Sequence, residues 1–276
     1  MDYRKKYEKL IETIKPYGQA VVAFSGGVDS ALLAFATVEA LGKDNTICLT
    51  ARSPLFPERE FAGAVSFCKE QGFRHEIFEI KIRDIEGFSS NPPNRCYLCK
   101  TDLFSKFLSI AKEQGTETVF EGSNADDIKD YRPGMQAVKE LGIKSPFLDA
   151  SFSKDDIRLV SKMLGLSTWN KPPMACLASR FVYGERITLK KLQMVEDAED
   201  YLLGKGLSQV RVRILGDKVF TAKIEVPPEE ISAHAIDPQR GETVRVFQEL
   251  GFSSVELDLI GYRTGSMNES LLETIK

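Results

Sequence analysis

Apolar and polar positions follow two rhythms along the chain. In the first 170 or so residues, short apolar runs alternate with amphipathic stretches. Residues 2–15 read as a helix and 19–24, QAVVAF, as a short buried strand. Helix 29–41, strand 46–50, helix 57–71 and strand 76–80 follow, with Pro57 at a helix start, where its missing N–H costs little. A long helix is predicted over 94–114 and a strand over 118–121. Two more helices cover 133–141 and 153–164, the second with Ser153 as N-cap. Strands alternating with helices imply a parallel sheet covered on both faces. After Cys176 the rhythm changes. Helix 188–203 precedes strands 210–215 and 219–226, joined as a hairpin across Gly216-Asp217, with alternating polarity in Arg211-Val212-Arg213-Ile214. Helix 238–250 and strand 254–259 complete a small α+β domain. The Lys171-Pro172-Pro173 turn precedes the predicted join, which makes residues 1–182 one domain and 183–276 another.

Composition narrows the class. The chain has 276 residues, 42% hydrophobic and 28% charged, which excludes disorder, collagen and coiled coil for the whole. Apolar stretches such as 31–36 are too short to span a bilayer, so no membrane partner is expected. The charged start, MDYRKKYEKL, lacks a signal-peptide apolar core, and a cytoplasmic location is expected. A net charge of −3 argues against a nucleic-acid partner. Two histidines exclude a multi-His metal site, and five cysteines, an odd number, point to free thiols in a reducing compartment.

The most informative stretch is Ser25-Gly26-Gly27-Val28-Asp29-Ser30, between an apolar strand and a helix. Open α/β sheets bind ligands at the carboxyl ends of their strands. Two glycines let the backbone turn sharply, and N–H groups at the helix start then face an anion, with hydroxyl donors from Ser25 and Ser30. The segment resembles the signature of the PP-loop ATP pyrophosphatases, whose sheet is of the adenine nucleotide alpha hydrolase type. No Walker GxxxxGK[ST] is present. The resemblance implies ATP cleavage between the α and β phosphates, adenylation of a substrate oxygen and release of pyrophosphate. Asp29 is then a candidate for Mg²⁺ or for orienting the loop, against the alternative of an ordinary first-turn acid. A second segment, Glu121-Gly122-Ser123-Asn124-Ala125-Asp126-Asp127, follows another strand to the same edge. Mg²⁺ takes one or two carboxylates beside phosphate oxygens, which makes Asp127 the partner of Asp29. Residues 50–53, ending at Ser53, are expected near the adenine.

Cys176 lies in Pro173-Met174-Ala175-Cys176-Leu177-Ala178-Ser179-Arg180, where Arg180 favours a thiolate. This stretch, together with Asp130-Tyr131-Arg132-Pro133-Gly134, Trp169-Asn170-Lys171, Ser179-Arg180-Phe181, residues 210–213 and Gly261-Tyr262-Arg263-Thr264-Gly265, is similar to the LarE family of ATP-dependent sulfur transferases along essentially the whole chain. The resemblance implies adenylation of a carboxylate of pyridinium-3,5-biscarboxylic acid mononucleotide, then sulfur transfer, in nickel-pincer nucleotide synthesis. Cys176 matches the cysteine that gives up its sulfur, so Cys176 and Asp29 are the expected catalytic pair. Arg211 and Arg213, at i and i+2 of a strand, point to one face and suit a phosphate, as does Arg180. Ser179, Glu199 and Glu225 are supporting positions, the acids binding a metal or holding the arginines. The family likeness also implies a homo-oligomer, trimer or hexamer.

Cys96 and Cys99 depart from the sacrificial pattern. At i and i+3 on a helix their Cβ atoms stand roughly 5–6 Å apart. With Cys176 they make three thiolates, enough for a 4Fe–4S cluster with one open iron. Cys48 and Cys68 are expected in the core. Two rivals stay open: an ATP-dependent tRNA thiolase, and a nonenzymatic nucleotide or iron–sulfur binding protein.

Overall fold

The computed structural model describes residues 3–129, 133–234 and 239–263. It divides into two compact units: Met1–Glu86 with Asn94–Met174, and Gly87–Pro93 with Ala175–Lys276. The join therefore falls at Met174/Ala175, ahead of residue 182, and the segment 87–93 belongs with the second unit. Asn91 explains this placement. It is fully buried at a left-handed φ of 54°, and its amide donates to the Val182 carbonyl at 2.6 Å while its own carbonyl accepts from Gly184 N at 2.9 Å.

The first unit runs α1 Tyr3–Ile14, β1 Ala20–Ala23, α2 Val28–Leu41, β2 Thr46–Arg52, α3 Glu58–Gln71, β3 His75–Glu79, α4 Arg95–Glu113, β4 Val119–Phe120, α5 Gly134–Glu140, α6 Pro146–Asp149 and α7 Lys154–Met163. Its sheet has the order β3-β2-β1-β4 and every pairing is parallel. Val21 of β1 stands level with Ile47 of β2 and Val119 of β4. Side chains alternate between two cores. Ala20, Val22 and Cys48 pack with α1, α2, α3 and α7; Val21, Ile47, Leu49 and Val119 pack with α4 and α5. Burial on both faces is why these strands read as continuous apolar runs rather than alternating ones. Each fully buried Val, Leu or Phe contributes about 1.5–3 kcal/mol. The sheet continues past β4 by one residue, Lys144, which bridges to Phe120.

The second unit holds α8 Leu189–Gly204, β5 Arg211–Leu215, β6 Thr221–Glu225, α9 Ile231–His234, α10 Gln239–Leu250 and β7 Ser254–Leu257. The predicted hairpin is present, β5 antiparallel to β6, and β7 adds parallel to β6. Among the described residues no helix is long and apolar enough to cross a membrane.

Ser153 caps α7 as predicted, within a full capping box: its hydroxyl accepts from Asp156 N, and Asp156 Oδ2 accepts from Ser153 N at 2.7 Å. Lys6 Nζ meets the same carboxylate oxygen at 2.5 Å, tying α1 to α7. Burial alone would raise the Asp156 carboxyl, but the bonds from Lys6 and Ser153 outweigh it and hold it below the usual range. A depressed folded value stabilises the protein above the ordinary aspartate pKa of about 3.9 and loses that contribution as the pH falls through the folded value. Asp156→Asn is expected to cost about 2 kcal/mol at pH 7. Urea midpoints of both proteins, taken down the pH scale, should converge in acid; a gap that persists there contradicts the assignment.

Candidate active site

The PP-loop runs from the end of β1 into α2. Gly26 has φ 72°, and a Cβ there would lie 2.9 Å from Ala64 of α3, so only glycine fits this close approach. Gly27 is the N-cap of α2. Ser25 and Ser30 hydroxyls lie 3.1 Å apart, and Ser30 Oγ donates to the Gly27 carbonyl at 3.2 Å. The loop is thus stitched by its own hydroxyls while the start of α2 presents N–H groups to an anion.

Asp29, in the first turn of α2, faces the loop after β4. A Cβ on Gly122 would lie 3.1 Å from Asp29 Cβ, and the absence of a side chain there lets the two segments meet. Asp127 is 9% exposed, and its carboxylate accepts from Asn124 N at 3.0 Å. Burial pushes the Asp29 carboxyl above its ordinary value against the pull of Lys154, and the nearby Asp127 charge adds to the rise. Asp29 Oδ1 is buried without a hydrogen-bond partner. An orphaned carboxylate oxygen beside a second acid fits a hard divalent cation such as Mg²⁺. The structure thus brings together Ser25, Gly26, Gly27, Asp29, Ser30, Gly122 and Asp127. Ser53 is also buried, on the turn after β2. Thr50 Oγ1, further back on β2, donates to the Phe24 carbonyl at 2.8 Å and meets His75 Nε2 at 2.8 Å. Burial holds that imidazole below its usual pKa.

Neither loop pattern contains the two lysines found here. Lys154 Nζ lies 2.5 Å from Asp29 Oδ2. Lys171 Nζ donates to the Gly26 carbonyl at 3.1 Å and pairs with Glu60 at 2.7 Å. Arg158 holds the carbonyls of Trp169 and Lys171 at 3.0 and 2.8 Å, which fixes the stretch carrying that lysine. The one sequence signal for Lys154 is its position: a cation at the first residue of a helix opposes the macrodipole.

In the second unit, Cys176 precedes a short turn, Leu177–Arg180. Its carbonyl accepts from Ser179 N, Ser179 Oγ and Arg180 Nη1 at 3.0, 2.8 and 3.2 Å, and its thiol side is half-buried. Arg180 is 0% exposed. It makes a two-pronged pair with Glu199, Nε–Oε1 2.8 Å and Nη2–Oε2 2.9 Å, and its Nη1 also reaches the Ala175 carbonyl. Glu199 further accepts from Val212 N at 3.0 Å. Arg213 pairs the same way with Glu225, at 2.6 and 2.9 Å, and donates to the Ser179 carbonyl at 2.9 Å. Arg211 lies over the Tyr262 ring, 5.3 Å from its centroid, and donates to the Val210 carbonyl. Both acids hold arginines, and Arg180 is engaged in fixing the Cys176 loop.

Cys96 and Cys99 sit half-buried at the start of α4 in the first unit, whereas Cys176 belongs to the second. Among the described residues, no three His, Cys, Asp or Glu side chains gather as a metal site. Cys48 and Cys68 are fully buried core residues. Asp130, Tyr131, Arg132, Thr264 and Gly265 lie outside the described residues.

The fold and this loop define an ATP-dependent enzyme of the PP-loop class. The NAD synthase family model matches residues 5–93. The chain is 36% identical, over 96% of its length and 95% of the relative's, to the pyridinium-3,5-bisthiocarboxylic acid mononucleotide synthase of Lactiplantibacillus plantarum. It is 42% identical over 96% of its length to an uncharacterised protein of Synechocystis sp., covering 98% of that chain. An NH(3)-dependent NAD(+) synthetase of Methanococcoides burtonii is 25% identical over 78% of this chain and 80% of its own. The chain belongs to the LarE family of ATP-dependent sulfur transferases.

A buried ion pair that loses one partner leaves an uncompensated charge. Arg180→Ala is expected to destabilise the second unit by about 3–5 kcal/mol. The Arg180→Met, Glu199→Leu double variant should recover much of that loss, because it buries no lone charge. Chemical denaturation of the three proteins checks this; equal losses in single and double variants would refute it.

Proposed function

We propose that this chain converts a carboxylate of pyridinium-3,5-biscarboxylic acid mononucleotide to a thiocarboxylate, at the expense of ATP, on the way to a nickel-pincer nucleotide. The observation that carries this reading is the 36% identity, over 96% of the chain, with the Lactiplantibacillus plantarum synthase. The chemistry of the loop agrees with it. A substrate carboxylate oxygen attacks the α-phosphorus of ATP, and the bond to pyrophosphate breaks. The acyl adenylate then carries AMP, a far better leaving group than oxide. A sulfur nucleophile forms the carbon–sulfur bond and AMP departs.

The start of α2 and the hydroxyls of Ser25 and Ser30 hold the phosphates, and Asp29 and Asp127 are the residues that would hold Mg²⁺. Bound there, the ion neutralises phosphate charge. Arg211 and Arg213 are the candidates for the substrate phosphate. Their positions two residues apart on β5, fixed by Tyr262 and Glu225, support this part.

Two sulfur sources fit the thiols. If Cys176 Sγ attacks, it forms a thioester. Loss of the Cα proton and scission of Cβ–Sγ then release the thiocarboxylate and leave dehydroalanine. Alternatively, Cys96, Cys99 and Cys176 would hold a 4Fe–4S cluster, which would supply a sulfide and spare the cysteine. The helical pair, absent from the sacrificial pattern, supports the second source. The family likeness supports a homo-oligomer, trimer or hexamer.

Wild-type protein given Mg²⁺, ATP and the pyridinium nucleotide is expected to release AMP and pyrophosphate. Asp29→Ala should abolish both with an unchanged circular dichroism spectrum. ADP and orthophosphate as products would overturn the assignment. Intact mass after turnover reads the sulfur source. A loss of one H₂S per chain marks Cys176 as donor, and an unchanged mass after repeated turnover marks the cluster. In the second case anaerobic reconstitution should load about four irons, and the Cys96→Ala, Cys99→Ala double variant should lose both iron and activity.

A further inference from the structure

Lys154 is the first residue of α7, where a positive charge is opposed by the helix dipole and by the N–H groups of the first turn. Its backbone N–H donates to Asp126 Oδ2 at 2.9 Å, which anchors the residue on the loop after β4. Its ammonium crosses to α2 and meets Asp29 Oδ2 at 2.5 Å. The other oxygen of Asp29 is buried without a partner, and Asp127 lies close enough to repel Asp29. Two carboxylates held close repel each other; the Lys154 ammonium answers one oxygen of Asp29, the Arg158 charge helps from nearby, and the Oδ1 of Asp29 still has no hydrogen-bond partner. Lysine suits a temporary tenant: it is a compact point charge on a flexible stem, and this side chain keeps 31% of its surface exposed.

We propose that Lys154 holds the place of the divalent cation at Asp29 until the nucleotide arrives, so that the metal enters together with ATP and not before it. With metal–ATP bound, Asp29 would hold the divalent ion, and the released Lys154 ammonium would be free to offset phosphate charge. Without Lys154 the acid pair would be open to the bare metal, and the triphosphate would lose a counter-charge. The two effects have opposite signs. This proposal rests on the PP-loop reading of the site and adds an order of binding to it.

The test titrates Mn²⁺ into the protein, reading free Mn²⁺ by electron paramagnetic resonance, first alone and then with ATP. Lys154→Met is expected to bind Mn²⁺ alone at least tenfold more tightly than wild type, and Mn²⁺–ATP at least tenfold more weakly. Lys154→Arg, which keeps the charge, should stay near wild type in the metal-alone titration. Lys154→Gln serves as a second neutral variant should the methionine protein fail to fold, as judged by thermal unfolding. Unchanged binding of Mn²⁺ alone, or weakening in both titrations, overturns the placeholder and leaves Lys154 a structural residue. Wild-type protein that binds no Mn²⁺–ATP at all overturns the nucleotide site itself, a distinct result.

Discussion

Parallel pairing of β1 with both β2 and β4 is the constraint on which the nucleotide site depends. Parallel strands end at the same edge, so levelling Val21 with Ile47 and Val119 delivers residues 24–30, 50–53 and 121–127 to one place. The crossings between these strands need helices, and the helices cover both faces of the sheet. The edge itself is left to loops. A site built this way draws its stiffness from two cores, since moving one loop means shifting a strand packed above and below.

That edge concentrates charge, and charge there has to be answered. α2 begins with a field suited to anions, yet Asp29 sits in its first turn and Asp127 comes beside it. Lys154, Lys171 and Arg158 supply the opposite sign. Lys171 does so on a backbone carbonyl, that of Gly26, and on Glu60, so the sharpest bend of the loop is braced from outside. The second unit solves a similar problem in a drier setting. Arg180 and Glu199 are both at 0% side-chain exposure, and their pairing is tolerable only because further donors and acceptors complete the network. The backbone around Cys176 is pinned by that network through the Cys176 carbonyl.

Contiguity decided what could be read from sequence. The PP-loop is six residues in a row and the acidic loop seven, so residue type and order were enough. β1, β2 and β4 were legible because both of their faces are apolar, and β5 because its polarity alternates. Glu199 and Glu225, read as either metal ligands or supports for arginine, pair with Arg180 and Arg213. Lys154 and Lys171 were missed because they reach the loop from 125 and 145 residues away, and only tertiary packing reveals such partners. The Lys144 bridge and the four-residue α6 are too short to carry periodicity. Phe181, buried at 0%, bridges to Ile214 and draws the turn before it into the core of the second unit, a long-range contact that no local sequence pattern marks.

The excursion of residues 87–93 makes the second unit discontinuous in the gene. No single cut separates the two units, since a fragment starting at Ala175 lacks Asn91, the buried amide that holds Val182, and also lacks the carbonyl of Ser89 that receives Ile187 N. Such a module resists transplantation by fusion or recombination at one site. The strap is made before residues 94–174 and can meet the rest of its own core only after the chain has been synthesised past Ala175. Synthesis order and assembly order are therefore interleaved.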